Sequence, residues 1–346
     1  MTEPVTPVPV FRPARHAAHQ PRWDFSDGYP PVPYPEVAER IGEVLTGFGR
    51  TWPLAEHPVE GGREETVAAL HAPEYLAFLR GIGETLEEGE EYVPSIFHGD
   101  LSAGPLRFRG GMFTAEIGTP ITRATRQAAL DSAETARRAA AHLAEHGGHV
   151  VALCRPPGHH AGYRRYGGYC FYNNAYVAAR TLTAAGRHCP VLDVDYHLGD
   201  GSVEFADQAA PYFSLHADPW RNYPHLDAGW DGAGRTHVHL ATLAEGTDGE
   251  AYLAQLDDAL TALTATRPDA VVLSLGFDTA ATDTIQDAAV GLTAADFEAI
   301  GVRLAATELP VLVLLEGGYD VAGLAGYAEA FARGLGPAPD QRRTTV

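Results

Sequence analysis

The stretch Val191 to Ser202, VLDVDYHLGDGS, sets Asp193, Asp195 and His197 at alternating positions where an apolar run ends. Every second side chain of a strand points the same way, so two carboxylates and an imidazole would leave the strand end on one face. That is a donor set for a divalent cation on a rigid element. Asp278, in the later SLGFDT, would join Asp195 and His197 as a third ligand. Two carboxylates and one imidazole cancel the charge of Zn2+ and leave positions for water and a substrate carbonyl. His159 and His160 follow a Pro-Pro-Gly turn that would lift both imidazoles into a cleft. Asp193 and Asp200 can each accept a hydrogen bond from a ring nitrogen, orienting the ring and raising its basicity. One histidine would then deprotonate the water, and the pair would later protonate a leaving amine.

Tyr319 lies in LEGGYD, where Gly317 and Gly318 let backbone approach closely and aim the phenol inward. A phenol there can donate to the oxyanion of a tetrahedral intermediate. The segment GGYCFYNN adds Gly167, Gly168, Tyr169 and Cys170, and Tyr169 could wall a narrow channel opposite Tyr223. Each residue has a blander explanation when taken singly: a turn aspartate, a surface histidine pair, core tyrosines. Their recurrence at successive strand ends favours a site.

Those strand ends follow from hydrophobic periodicity. Apolar runs predict strands at His149 to Cys154, Pro190 to Val194, Tyr212 to Leu215, Thr236 to Leu240, Ala270 to Leu275 and Pro310 to Leu315. Helical patterns predict Gln127 to Glu145, Asn174 to Ala185, Gly249 to Thr266, Thr293 to Glu308 and Val321 to Gly334. The alternation predicts an α/β fold with a mainly parallel sheet flanked by helices. Five of the runs lead into RPPGHHAG, DYHLGDG, HADP, GFDTAATD and EGGYD. Ligands of open α/β sheets bind outside the carboxyl ends of the strands, so five loops converge on one site. Residues 1–36, proline-rich with aromatics at Trp23, Phe25, Tyr29 and Tyr34, read as a structured loop or lid. Residues 37–334 read as a single domain and 335–346 as a frayed tail.

Composition narrows the function. With 45% hydrophobic and 20% charged residues the chain of 346 is a soluble globular type, without an apolar run able to span a membrane. The start MTEPVTPVPV has no secretion signal, so a cytoplasmic enzyme is expected. A formal net charge of −20 argues against nucleic acid as a partner and suits a cationic or neutral small substrate. All 25 basic residues are arginine, which excludes a Walker lysine, Schiff-base chemistry and pyridoxal phosphate enzymes. Cys154, Cys170 and Cys189 read as buried small hydrophobes.

Taken together, RPPGHHAG, GGYCFYNNA, LDVDYHLGDG, SLHADP, SLGFDT and LEGGYD resemble the histone deacetylase family, in its acetylpolyamine amidohydrolase branch. The resemblance implies an arginase/deacetylase-like fold and one Zn2+, with Fe2+ as the alternative metal, at Asp195, His197 and Asp278. It implies amide hydrolysis by water activated on that metal, His159 and His160 as acid and base, and Tyr319 polarising the carbonyl. It also implies structural K+ held by Asp193, Asp195, His197, Ser214 and Leu215, and channel aromatics at Tyr169 and Tyr223. The family's usual second histidine after the ligand is Leu198 here.

Glu116, in FTAEIGTP, looks like a mouth glutamate that meets a distal ammonium, while its companion position, about eleven residues earlier, falls near Pro105. Arg164 and Arg165 place positive charge beside the histidine loop, which disfavours a polycation. The reading is therefore a zinc-dependent deacetylase of a small N-acetylated amine, acetylpolyamines first, with acetyl-lysine in a protein or another N-acetylated metabolite as the alternative. The resemblance also implies that an inserted loop around Glu91 to Gly118 pairs with a second copy in a homodimer. The rivals are a two-manganese ureohydrolase and a non-catalytic metal and acyl-ligand binding protein.

Overall fold

A computed structural model describes residues 6–26, 30–97, 99–227, 230, 234–286 and 290–336. In chain order the strands are β1 (Val8–Pro13), β2 (Trp23–Asp24), β3 (Val32–Pro33), β4 (Leu54–Val59), β5 (Glu91–Tyr92) and β6 (Ile121–Thr122). They continue as β7 (Val150–Ala152), β8 (Val191–Asp193), β9 (Tyr212–Ala217), β10 (Val238–Leu243), β11 (Val271–Leu275) and β12 (Val311–Leu315). The helices are α1 (Glu39–Thr51), α2 (Pro73–Glu84), α3 (Thr125–His146), α4 (Asn174–Ala184), α5 (Asp200–Phe205), α6 (Gly249–Ala265), α7 (Ala294–Ala305) and α8 (Val321–Leu335).

Eight strands form one parallel sheet in the order β10-β9-β8-β11-β12-β7-β1-β4. A sheet covered on both faces needs apolar residues on both, which is why its strands read as continuous hydrophobic runs. In β12, Val311, Val313 and Leu315 face a layer built by α1, α6, α7 and α8. Leu312 and Leu314 face the opposite layer, built by α2, α3 and α4. The alanines of α3 at 133, 136, 139 and 140 are fully buried in that second layer.

The structure departs from the sequence reading at the N-terminus. Residues 8–13 are neither loop nor lid: β1 lies inside the sheet between β7 and β4, with Val10 opposite Val151 and Phe11 opposite Ala152. Pro9 and Pro13 mute the strand signal, yet Val8 and Val10 bury in one layer and Phe11 in the other, and that burial decides the conformation. The antiparallel pair β2–β3 follows as the outer part of the segment. Tyr29 and residues 337–346 of the expected tail lie outside the described residues.

A second departure concerns the metal-ligand run. Strand β8 ends at Asp193, so Asp195 and His197 sit in the turn after it rather than on the strand. They still converge, because each carboxylate binds an amide two residues on: Asp193 Oδ1 accepts from Asp195 N at 3.1 Å and Asp195 Oδ1 from His197 N at 2.9 Å. The strand order reverses between β8 and β11, since β9 and β10 lie to one side of β8 while β12 lies beyond β11. A crevice at such a reversal is where open α/β sheets bind ligands, and Asp195 and Asp278 leave from its two walls.

Candidate active site

Ligand atoms of Asp195, His197 and Asp278 all lie within 4.8 Å of one another. His197 Nδ1 is 3.1 Å from Asp278 Oδ2 and 3.4 Å from Asp195 Oδ1. Backbone amides orient the carboxylates: Gly317 N donates to Asp195 Oδ2 at 2.8 Å and Tyr196 N to Asp278 Oδ1 at 3.0 Å. Gly317 must be glycine here, because a Cβ would fall 2.4 Å from Asp278 Oδ2 and 2.6 Å from Asp195 Oδ2. Burial and the neighbouring Asp195 carboxylate push the Asp278 pKa up to about 7. Burial works against charge on His197, but its hydrogen bonds to Asp195 and Asp278 outweigh it and raise the pKa to about 9. Two fully buried carboxylates pressed against one imidazole must share protons unless a cation takes their place, so this donor set fits a dication of the Zn2+ type.

The histidine pair sits beside this set with ring centroids 4.0 Å apart. His159 Nδ1 is 3.1 Å from Asp193 Oδ2, and His160 Nδ1 is 2.8 Å from Asp200 Oδ1. Asp193 also accepts from the Tyr212 hydroxyl at 2.7 Å, a contact absent from the sequence reading. Burial opposes charge on His159, but Asp195 and Asp193 outweigh it and hold its pKa well above the ordinary value. Burial and the adjacent His159 bring His160 down to about 3. Two neighbouring imidazoles with pKa values driven apart can divide acid and base roles.

Further residues that sequence reasoning missed fix this geometry. Glu316 is fully buried and spans from β12 to the histidine loop: its Oε2 accepts from Gly158 N at 2.7 Å and His159 N at 3.2 Å, and its Oε1 from Ser274 Oγ at 3.0 Å. Burial and the Asp193 and Asp195 carboxylates outweigh the opposing pull of His159 and raise its pKa to about 7. Arg40 of α1 donates to the Gly318 carbonyl at 2.6 Å and to the Glu316 carbonyl, and its guanidinium lies 4.9 Å from the Tyr319 ring. Glu36 holds Arg40 at 2.8 Å and Arg155 at 2.9 Å, all three buried. Asp283 accepts from the backbone N–H of Tyr319 and Asp320. Burial raises the Tyr319 pKa well above the ordinary range, with Arg40 opposing, so the phenol keeps its proton and can donate. Glu316 lies inside EGGYD and Asp283 ends GFDTAATD, so both fall in segments the sequence singled out; Glu36 and Arg40 are remote from every motif.

A cavity of about 500 Å3 opens over these groups, lined by His159, His160, Gly168, Tyr169, His197, Tyr223, Gly317 and Tyr319. Tyr169 stacks edge-on against Tyr319 at 5.6 Å and Tyr223 against His160 at 4.6 Å, so the two expected channel aromatics stand beside the candidate catalytic side chains. Gly168 lays bare backbone against the His160 ring. Glu116 lines the same cavity, as do Asp24, Ser26, Val32, Pro33 and Pro35 of the N-terminal segment. Ser214 pairs in register with Asp193, and Leu215 follows it buried in β9. Arg165 is spent on Asp200 at 2.5 Å and Glu204 at 2.9 Å, and Arg164 on Glu74 at 2.9 Å. Neither arginine lines the cavity, which removes their objection to a cationic substrate. The three cysteines are free and buried.

A buried two-carboxylate, one-imidazole metal set at the switch point of a parallel sheet, flanked by two aspartate-bound histidines and a phenol, defines a metal-dependent hydrolase. The family model described as Histone deacetylase domain matches residues 34–335. The chain belongs to the histone deacetylase family, whose members hydrolyse linear amides with a metal cofactor, generally zinc. It is 36% identical over 334 residues to the acetylpolyamine amidohydrolase of Burkholderia pseudomallei, covering 92% of this chain and 96% of that one. It is 35% identical over 310 residues to the acetylpolyamine amidohydrolase of Mycoplana ramosa, covering 84% and 88%. A crystal structure of acetylpolyamine aminohydrolase from Burkholderia pseudomallei superposes with a TM-score of 0.87 at 31% identity, over 94% of this chain and 98% of that one. The HDA15 HD domain shares the fold, with a TM-score of 0.76 at 23% identity over 96% and 91% of the two chains.

Proposed function

We propose that this protein is a zinc-dependent deacetylase that removes an acetyl group from an acetylpolyamine. The observation that carries the reading is the buried Asp195, His197 and Asp278 set at the base of a cavity lined by His197, by the two aspartate-bound histidines and by Tyr319. Bound at that set, Zn2+ would supply Lewis acidity, polarising the substrate carbonyl and acidifying a water. Of the protein groups, His160, held neutral beside Asp200, accepts the proton of the attacking water at Nε2. His159, held protonated by Asp193, donates to the departing amine nitrogen. Tyr319 donates its phenolic hydrogen to the carbonyl oxygen as charge develops there. Tyr169 and Tyr223 flank the acyl-amine stem and keep water from the reacting atoms.

The relatives named as acetylpolyamine enzymes support the substrate class, and the cavity agrees with it, since Glu116 and Asp24 line its walls. The same strand ends would hold structural K+ through Asp193, Asp195, His197, Ser214 and Leu215, consistent with the Asp193–Ser214 register. Among the described residues no helix is long and apolar enough to cross a membrane. A cytoplasmic location is part of the proposal. Pairing of two copies through residues 91–118 is part of the proposal; a monomer by light scattering would remove it. The test of function is kcat/KM of the zinc-loaded protein on N-acetylputrescine, N8-acetylspermidine and an acetyl-lysine peptide. Preference for the polyamines supports the reading, and preference for the peptide overturns the substrate class.

A further inference from the structure

Three histidines outside the catalytic cavity gather where the sheet ends. His57 belongs to β4, the last strand on that side, and His142 and His146 belong to the C-terminal turns of α3. In the parallel register His57 stands beside Phe11, and paired residues of neighbouring strands point to one face of the sheet. Phe11 packs toward α3, so His57 does too. The Phe11 ring stacks on His57 at 4.6 Å and meets His142 at 5.6 Å, forming a floor under both. His142 and His146, four residues apart, share one face of the helix.

The ring centroids of His57 and His142 lie 6.0 Å apart and those of His142 and His146 4.4 Å apart. Imidazole nitrogens sit about 2.0–2.1 Å from Zn2+, which sets the ring centroids of two ligands of one tetrahedral ion about 5 Å apart. The observed spacings bracket that value. His57 and His146 are exposed, and none of the three rings makes a hydrogen bond among the described residues, so the outer two can turn toward a shared ion. Burial and the neighbouring His146 and His57 lower the His142 pKa, which leaves its ring neutral and able to ligate at pH 7. Glu145 brings a carboxylate oxygen to 3.8 Å from His146 Nε2, and a helix C-terminus itself favours positive charge.

We infer that His57, His142 and His146 form a second metal site, for a divalent cation of the Zn2+ or Ni2+ class, that ties the edge strand β4 to α3. Imidazole ligands without a set of hard oxygens select such ions over Mg2+ or Ca2+. Water completes the coordination on the open side. The site shares no residue with the Asp195, His197 and Asp278 set, so it is independent of the deacetylase reading.

The test is equilibrium dialysis of the full-length, zinc-loaded protein against Zn2+ or Ni2+, with bound metal read by elemental analysis. Wild type should hold two equivalents and His142→Leu one, with kcat on N-acetylputrescine unchanged. Leucine keeps apolar cover over Phe11 while removing the ligand, so a packing defect is not mistaken for a lost site. His57→Ala and His146→Ala should each weaken the second equivalent by at least about tenfold, a loss that removing even an outer partner of a ligand causes. Added Ni2+ should raise the Tm of wild type but not that of His142→Leu, because an ion bridging two elements binds only the folded chain. A second equivalent that survives all three substitutions is adventitious and overturns the inference. One that His57→Ala leaves unchanged is a helical pair without β4, and overturns the bridge. A single equivalent that survives His142→Leu likewise overturns it, whereas a single equivalent that His142→Leu abolishes upholds this site and removes the catalytic metal.

Discussion

Tyr319 and Glu316 stand three residues apart, and their surroundings assign them different work. The Tyr319 phenol lines the cavity with its proton retained, so the role proposed for it is a hydrogen bond that strengthens as the carbonyl oxygen becomes negative. Tyr319→Phe should lower kcat by roughly a hundredfold to a thousandfold. Zinc content, read by elemental analysis, should not change, and undiminished turnover would remove the tyrosine from the mechanism. Glu316 never reaches the cavity; it holds two consecutive amides of the histidine loop. Glu316→Ala strands those buried donors and should cost about 2–3 kcal/mol in chemical denaturation while displacing His159. Glu316→Gln, which keeps an acceptor, should recover most of the stability. If Ala and Gln behave alike, the carboxylate is not what anchors the loop.

At the scale of elements, β1 links the N-terminal segment to the catalytic strands. It pairs with β7, whose continuation is the histidine loop, and then runs on toward the β2–β3 hairpin that carries Asp24. A strand inside the sheet cannot leave without exposing its neighbours, so β1 is part of the core although it begins at residue 8. Phe11, 7% exposed and packed into the α3 side, tests this. Phe11→Ala should destabilise by about 3–4 kcal/mol with the denaturant slope unchanged. A change below about 0.5 kcal/mol would mean that the strand is peripheral.

Over the whole molecule, buried neutral histidines set the response to acid. His71 donates from Nδ1 to the Gly162 carbonyl at 2.9 Å and accepts from Asn173 N at Nε2, and His149 Nδ1 accepts from Val311 N at 3.1 Å. Protonation would destroy each acceptor, and burial lowers both pKa values to about 4. In the unfolded chain they titrate near 6.5, so between those values the unfolded state binds more protons than the folded one. Stability is therefore fully present above pH 6.5 and lost as pH falls toward 4, by roughly 3 kcal/mol for each histidine. Tm should start to drop below about pH 6.5, above the range where carboxylates ordinarily titrate. A flat Tm between pH 6.5 and 5 would refute this account.

The amino-acid sequence alone carried the α/β alternation, the loops that leave the strands, and the residue types gathered there. A strand followed by its loop is contiguous in the chain, so period and motif record both at once. Asp195, His197, Asp278, His159, His160 and Tyr319 could be singled out for that reason, and the fold gathers them: His159, His160, His197 and Tyr319 line one cavity, and Asp195 and Asp278 lie buried against His197. Only the tertiary structure decided the rest. The prolines of β1 hid a strand that exists because both faces of the sheet bury its side chains. Arg40, Glu36 and Asp283 act on residues far along the chain, through contacts that no local pattern encodes. Even the turn after β8 differs from the strand its spacing suggested, because side-chain caps on backbone amides aim Asp195 and His197 where strand alternation does not reach.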